Sequence, residues 1–255
     1  MEKFSVVLID QGERTTVEVP VSEEVPLTLE VNGKELATLL ATPEHLKNLV
    51  TGFLFTSGFI REAAQIKSIS IDPERWKADI IAKGEDFADD LVFKRIYTSG
   101  CGKGVIFHNP LDLFNRVRIV SDFRVQKEVV RELVKVFQRY SEEHALTHGV
   151  HSAALASRDE ILIFRDDIGR HNAMDKVIGE ALYSNMSFTD KILLTSGRIS
   201  SEILSKVLRC RMPVMAAIGA PTNQAVKLAR QAELTIAGLV RGSKIFVYSG
   251  EERLF

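Results

Sequence analysis

Residues 191–222 read KILLTSGRISSEILSKVLRCRMPVMAAIGAPT, and their pattern decides the fold class. An apolar run at 191–194 ends in a turn at Gly197. A helical pattern over 200–209 follows, then a second apolar run at 214–218 and a second turn at Gly219. Another helix is expected over 222–231. Successive strand–turn–helix units need crossover connections, so the sheet is expected to be largely parallel and covered by helices on both faces. Ligands of such sheets bind beyond the carboxyl ends of the strands.

Polar residues gather at those ends. Ser196, Gly197, Arg198 and Ser200 lead from a strand into a helix. The glycine frees the turn, the helix N-terminus presents unpaired N–H groups, and Arg198 can pair with phosphate. Gly219 to Thr222 repeats the design one strand later. Two such turns at consecutive strand ends point to an anionic ligand. Neither is a Walker A loop or a G-x-G-x-x-G, which argues against ATP hydrolysis and dinucleotide redox chemistry. A third polar cluster holds Asp167, Arg170 and His171, between the expected hairpin of 152–156 with 160–164 and a helix over 170–183. His171 and Asp175 are four apart and share a helix face. They could act as an acid/base couple, contact a ligand, or hold the helix through salt bridges. The last polar turn is Leu239-Val240-Arg241-Gly242-Ser243-Lys244, between expected strands at 234–240 and 244–248. Arg241 and Lys244 could grip phosphate; a plain hairpin with solvated cations would look the same.

The front of the chain differs in kind. Strand-like runs at 4–9 and 14–19 flank a turn, and runs at 25–31 and 36–40 flank Asn32-Gly33, a strong hairpin signal. Thr42-Pro43 is expected to open a helix, with Leu46, Leu49, Val50, Phe53 and Leu54 on one face and Gly58 as its stop. Strands near 67–71 and 76–81 complete a small α+β unit. Residues 83–110 break the pattern and mark the division between halves. A helix is expected from 121 or 122 to about 142, with Val125, Val129, Leu133, Val136, Phe137 and Tyr140 buried.

Within the irregular stretch lies Thr98-Ser99-Gly100-Cys101-Gly102-Lys103-Gly104. Three glycines in seven positions suit a mobile loop rather than a helix or strand. A cysteine there is expected to be reachable, and Lys103 can stabilise its thiolate. Gly104 stands where a C-x-x-C would place its second cysteine, so a dithiol redox site within the loop is excluded. The other cysteine, Cys210, follows a helical pattern and reads as a packing residue. With only two cysteines in 255 residues there is no disulfide framework, and a reducing cytoplasm is the expected compartment. His148 and His151 lack the cysteine pair that would suggest zinc. A net charge of -1 gives no electrostatic reason for nucleic acid or a membrane surface as partner. No basic-then-apolar leader and no bilayer-length apolar run is evident.

Several blocks occur together and in order: Ser99-Gly100-Cys101-Gly102, Gly149-Val150-His151-Ser152-Ala153-Ala154, Asp167-Ile168-Gly169-Arg170-His171-Asn172-Ala173-Met174-Asp175-Lys176, Thr195-Ser196-Gly197-Arg198 and Gly238-Leu239-Val240-Arg241-Gly242. With Glu24-Val25-Pro26-Leu27 and Asn32-Gly33, they make the chain resemble the FdhD family of formate dehydrogenase accessory sulfur carriers. The resemblance implies an α/β fold: a cytidine-deaminase-like three-layer α/β/α domain over 96–255 and a smaller α+β N-terminal domain over 1–95. The paired cysteines and glutamate of zinc deaminases have no counterpart, so no metal held by the protein is implied.

By the same resemblance, a cysteine desulfurase passes sulfur to Cys101, which carries it as a persulfide. The sulfur then goes to a molybdenum (or tungsten) bis-pterin guanine dinucleotide before the cofactor enters formate dehydrogenase. Leu239, Val240, Arg241, Gly242, Ser243 and Lys244 correspond to the family's cofactor-contacting segment, where the leading residue is often Phe. Gly104 replaces a second loop cysteine that many members carry. A cytoplasmic homodimer is implied. Two other functions fit the residues: a non-catalytic cofactor chaperone with Cys101 dispensable, and a nucleotide hydrolase using Asp167 and His171.

Overall fold

The computed structural model describes residues 1–83 and 117–255. Cys101 and its glycine-rich neighbours, nearly all of the irregular stretch and the 95/96 boundary lie outside the described residues.

Strands β1 (Glu2–Asp10) and β2 (Glu13–Val21) pair antiparallel as a separate ribbon. Strands β3 (Val25–Val31), β4 (Lys34–Ala41), β5 (Ile66–Asp72) and β6 (Lys77–Ala82) form a sheet in the order β4-β3-β6-β5. Asn32 and Gly33 both take positive φ at the β3–β4 turn, as an Asn-Gly hairpin requires. Helix α1 (Leu46–Thr56) follows β4. Gly58, at φ 88°, turns the chain just beyond it.

The larger sheet contains β7 (His151–Ala156), β8 (Ile161–Asp167), β9 (Ile192–Thr195), β10 (Val214–Ala217), β11 (Thr235–Arg241) and β12 (Lys244–Ser249). Their order is β12-β11-β10-β9-β7-β8. β9, β10 and β11 run parallel, whereas β7 is antiparallel to β8 and β9, and β12 to β11. The sheet is therefore mixed and not largely parallel as expected. The β7–β8 and β11–β12 connections are short hairpin turns, too short for a crossover. Because β9 passes beyond β7, β8 points the same way as β9–β11. Four carboxyl ends thus share one edge.

Helices α2 (Lys127–Phe137), α3 (Glu142–Thr147), α4 (Arg170–Tyr183), α5 (Ser201–Cys210) and α6 (Asn223–Gln231) complete the described helices. On one sheet face, Ala154, Ile192, Leu194 and Val214 pack with Val130, Leu133 and Phe137 of α2. On the other, Ala153, Leu155, Leu193 and Met215 pack with α4–α6. The strand alternation delivers one set to each face. The second core continues through α1 into Leu27 and Leu29 of β3 and Ile80 of β6.

Two sequence expectations about helices change. Thr42 does not cap α1, which begins at Leu46 after His45 in the left-handed conformation. The Thr42 N–H and hydroxyl instead donate to Asp167 Oδ2, and its hydroxyl accepts from Lys176 Nζ at 2.6 Å. The long helix expected to run to 142 is shorter: α2 spans Lys127–Phe137, and α3 begins only at Glu142. Residues 117–126 stay outside the helix, with backbone hydrogen bonds made elsewhere: Ile119 with Ala232, and Val125 with Arg253 and Phe255. Ser141 then caps α3 by accepting from the His144 N–H. Val136 and Tyr140, expected in the buried stripe, are exposed, and Val130 and Val134 take those places.

The two halves meet where α1 lies on α4. A Cβ added to Gly179 would overlap the Asn48 carbonyl, and one added to Gly52 would overlap the Asp175 carbonyl. Backbone touches backbone at both points. Gly179→Ala must push the helices apart, so it should cost about 1–3 kcal/mol or more, read as a lower urea midpoint; an unchanged midpoint would contradict this contact.

Candidate functional site

The polar residues singled out in the sequence converge on the carboxyl edge of the larger sheet. β8 ends at Asp167, β9 at Thr195, β10 at Ala217, and β11 extends past them to Arg241. The loops that follow stack on one another. Ile218 N–H donates to the Thr195 carbonyl, Ile199 N–H to Ala220, and Leu239 N–H to Gly219. Glycine permits this stacking: a Cβ at Gly219 would meet the Gly197 carbonyl, and one at Gly238 would meet Pro221, Tyr248 and the Gly219 carbonyl. Backbone therefore forms much of the wall, which suits close approach by a ligand.

Individual residues take different positions there. Arg198 is exposed, Gly197 is buried and Ser196 is half-buried. Ser200 caps α5, its hydroxyl accepting from the Ile203 N–H at 3.4 Å. Gly197 lies against the Arg170 side chain, where a Cβ would come within 3.0 Å. Leu239 is half-buried and holds φ 51°, in a stretch where the β11–β12 register shifts. A bulky residue in the left-handed region is uncommon and strained, and such strain concentrates at functional sites. Val240 is buried, whereas Arg241, Gly242, Ser243 and Lys244 form an exposed hairpin tip. Arg131 of α2 donates to the Gly242 carbonyl and braces that tip.

Asp167 is fully buried and pairs with the equally buried Lys176 at 2.7 Å. Its other oxygen accepts from Gly169 N–H and Asn172 Nδ2. Internal partners thus occupy both carboxylate oxygens, and the group ties β4, β8 and α4 together. Asp175 does not couple with His171. It accepts from Lys206 at 2.7 Å and from Thr56 at 2.8 Å. The helix face implied by the spacing is split, because α1 and α5 draw Asp175 into the core while His171 stays at the edge.

His171 instead faces Glu202 on α5, with Nε2 3.3 Å from Oε2. The approach is off the hydrogen-bonding direction, so neither atom has a hydrogen-bond partner. Burial holds the His171 imidazole below its usual range, against the pull of Glu202. The nearby His171 ring holds the Glu202 carboxyl low, with burial opposing. His151 opens β7 at the same edge, opposite Asp167. Its Nδ1 lies 3.2 Å from Ser196 Oγ, which also accepts from the Ser152 N–H. Burial, and then the charge of Arg170, lowers the His151 pKa.

Sequence reasoning missed Glu202. It lies beside His171 only through the β8–α4–β9–α5 connection, and no spacing rule links positions so far apart. Cys210 is buried in the core, as expected of a packing residue, and burial pushes its thiol pKa well up. Among the described residues, no cluster of three or more His, Cys, Asp or Glu is arranged to hold a metal ion. No described helix is long and apolar enough to cross a membrane.

Comparison with known proteins follows the same lines. Residues 22–255 match the sequence profile of the FdhD/NarQ family. A sulfur carrier protein FdhD of Geobacillus kaustophilus is 40% identical, over 91% of this chain and 88% of its own. One from Bacillus subtilis is 38% identical, over 96% and 94% respectively. The crystal structure of a candidate formate dehydrogenase accessory protein from Desulfotalea psychrophila superposes with a TM-score of 0.82, covering 100% of this chain and 99% of that one at 23% identity. That likeness establishes a shared mixed α/β fold. With a profile match over all but the first strands and relatives at this identity, the chain belongs to the FdhD/NarQ family.

Proposed function

We propose that this chain is a cytoplasmic sulfur carrier for formate dehydrogenase, with Cys101 as the residue that bears the sulfur. The observation that carries the assignment is the burial of Cys210. The chain has two cysteines, and Cys210 is enclosed in the apolar core with its thiol held protonated. A sulfur acceptor must be a reachable thiolate. That leaves Cys101, in the glycine-rich sequence that the family resemblance marks for persulfide formation.

The first step is a thiol–persulfide exchange. The Cys101 thiolate attacks the outer sulfur of a cysteine desulfurase persulfide. The S–S bond of the donor breaks, the donor cysteine leaves as a thiolate, and the outer sulfur stays on Cys101. The acceptor of that sulfur is a molybdenum (or tungsten) bis-pterin guanine dinucleotide, bound here as cargo before it enters formate dehydrogenase. The carboxyl edge suits its nucleotide arms. Stacked backbone lines it, and Arg198, Arg241 and Lys244 supply exposed cations for pyrophosphate. Gly197, Ser200 and the strained Leu239 complete this contact surface. Helices on both faces of the larger sheet support the deaminase-like three-layer reading of that region. A homodimer remains part of this proposal from the family resemblance.

Two measurements test it. Incubation with a cysteine desulfurase and cysteine should add the mass of one sulfur atom to the intact protein, removable by reductant and absent in Cys101→Ala. Sulfur retained by Cys101→Ala would exclude this assignment. Separately, Arg198→Ala should weaken guanosine diphosphate binding by at least several-fold in calorimetry, as expected on losing a charge-assisted contact; unchanged affinity would remove Arg198 from the nucleotide site.

A further inference from the structure

Strands β1 and β2 pair only with each other, and neither joins the two larger sheets. Strand alternation sorts their side chains onto two sides. On one side Phe4 stands opposite Val19, Val6 opposite Val17 and Leu8 opposite Thr15, with Val21 at the base. The other side carries Lys3, Ser5, Arg14 and Glu18 beside Val7 and Ile9. The base of the ribbon rests on α3, where Ser22 Oγ lies 2.9 Å from Thr147 Oγ1. Beyond it the apolar side is open: Phe4, Val6 and Leu8 are 46%, 37% and 49% exposed. A two-stranded hairpin is marginally stable alone in water, and soluble chains rarely leave a large apolar face uncovered. The apolar side therefore calls for a cover that the described residues of one copy do not give it.

A second open apolar surface begins where the ribbon is rooted. Val136 lies on the last turn of α2, Tyr140 just past its end and Leu146 on α3, and all are half exposed or more. Size indicates which molecule brings two such surfaces together. Each strand has nine residues, so the ribbon is about 30 Å long and about 10 Å wide, with roughly 300 Å² on one side. Two ribbons exchanged across a two-fold axis would bury that area on each arm and about as much on each surface beneath. The total, roughly 1,200 Å², is where stable interfaces begin. One ribbon docked on an unrelated protein, or two ribbons stacked on each other, would bury about half of that.

We infer that the β1–β2 ribbon is an arm exchanged between two copies of the chain, its apolar side lying across Val136, Tyr140 and Leu146 of the other copy. Each copy supplies both arm and cradle, so the contact is self-complementary and closes as a dimer. Because the arm is rooted at α3, a two-fold axis beside that helix brings each arm to the other copy's cradle. This rests on the homodimer proposed above and names the surfaces that hold it.

Light scattering on the full-length chain, over a dilution series, tests the inference together with chemical cross-linking. Wild type should have the mass of two chains. Leu8→Glu on the arm and Val136→Glu on the cradle should each weaken dimerisation at least about tenfold, since either would bury an unpaired charge. Ser5→Lys, on the other side of the ribbon, should leave it unchanged. Val6→Cys copies mixed with Val136→Cys copies, both in a Cys101→Ser background and distinguished by mass, should be joined by a short bismaleimide; Ser5→Cys copies should not. Wild-type dimer affinity in either glutamate variant, equal weakening by Ser5→Lys, or no cross-link between Val6→Cys and Val136→Cys copies overturns the inference and leaves the homodimer standing. A wild-type chain that stays monomeric overturns both and leaves the ribbon to a different partner.

Discussion

The backbones of α1 and α4 touch at Gly52 and Gly179, and much else in the fold follows from that contact. It brings the four-stranded sheet under the same apolar core as one face of the six-stranded sheet. α1 is consequently buried from Leu49 to Thr56. The close approach also sets the distance at which the two buried ion pairs must close. Lys176 reaches Thr42 and Asp167 at one end of α4, and Asp175 meets Thr56 and Lys206 in its middle. Breaking either pair would leave an uncompensated buried charge, at a cost of about 3–5 kcal/mol. They hold the first turn of α4 in place, and that turn carries Arg170 and His171 to the carboxyl edge.

That edge is built from backbone first and side chains second. Gly197, Gly219 and Gly238 let three loops lie on one another without intervening side chains. Cations then project from the rim at Arg198, Arg241 and Lys244, and the His171–Glu202 pair sits further in. The arrangement sets exposed cations at the rim and a buried acid–imidazole pair behind them. Leu239, strained at the end of the parallel strands, marks where the sheet gives way to the exposed tip.

Much of this was legible in the sequence because it is local. The Asn32-Gly33 hairpin, the β9–α5 and β10–α6 units and the helix at 170–183 follow from patterns a few residues long. What was not legible depended on partners far along the chain. Thr42 looks like a helix cap until Asp167 and Lys176 claim it. Residues 121–126 carry a helical pattern, yet the pairing of Val125 with the C-terminal segment keeps them out of the helix. The edge hairpins were themselves expected, but not that they would make the sheet mixed. The candidate site was legible in part for the same reason: glycine turns and cations announce themselves, whereas Glu202 becomes a neighbour of His171 only once the chain has passed through β9. Asp167 was selected by its motif, but its oxygens serve the interior.

The proposed function rests on a division of labour between two thiols. One is enclosed at Cys210 among apolar side chains, where burial favours the protonated form. On that proposal the other, Cys101, carries the sulfur toward the cofactor. The most direct test is formate dehydrogenase activity in cells lacking their own carrier, supplied with wild type, Cys101→Ala or Cys210→Ser. The account predicts activity with wild type and Cys210→Ser and none with Cys101→Ala. Full activity with Cys101→Ala would contradict it and leave the chain a cofactor chaperone.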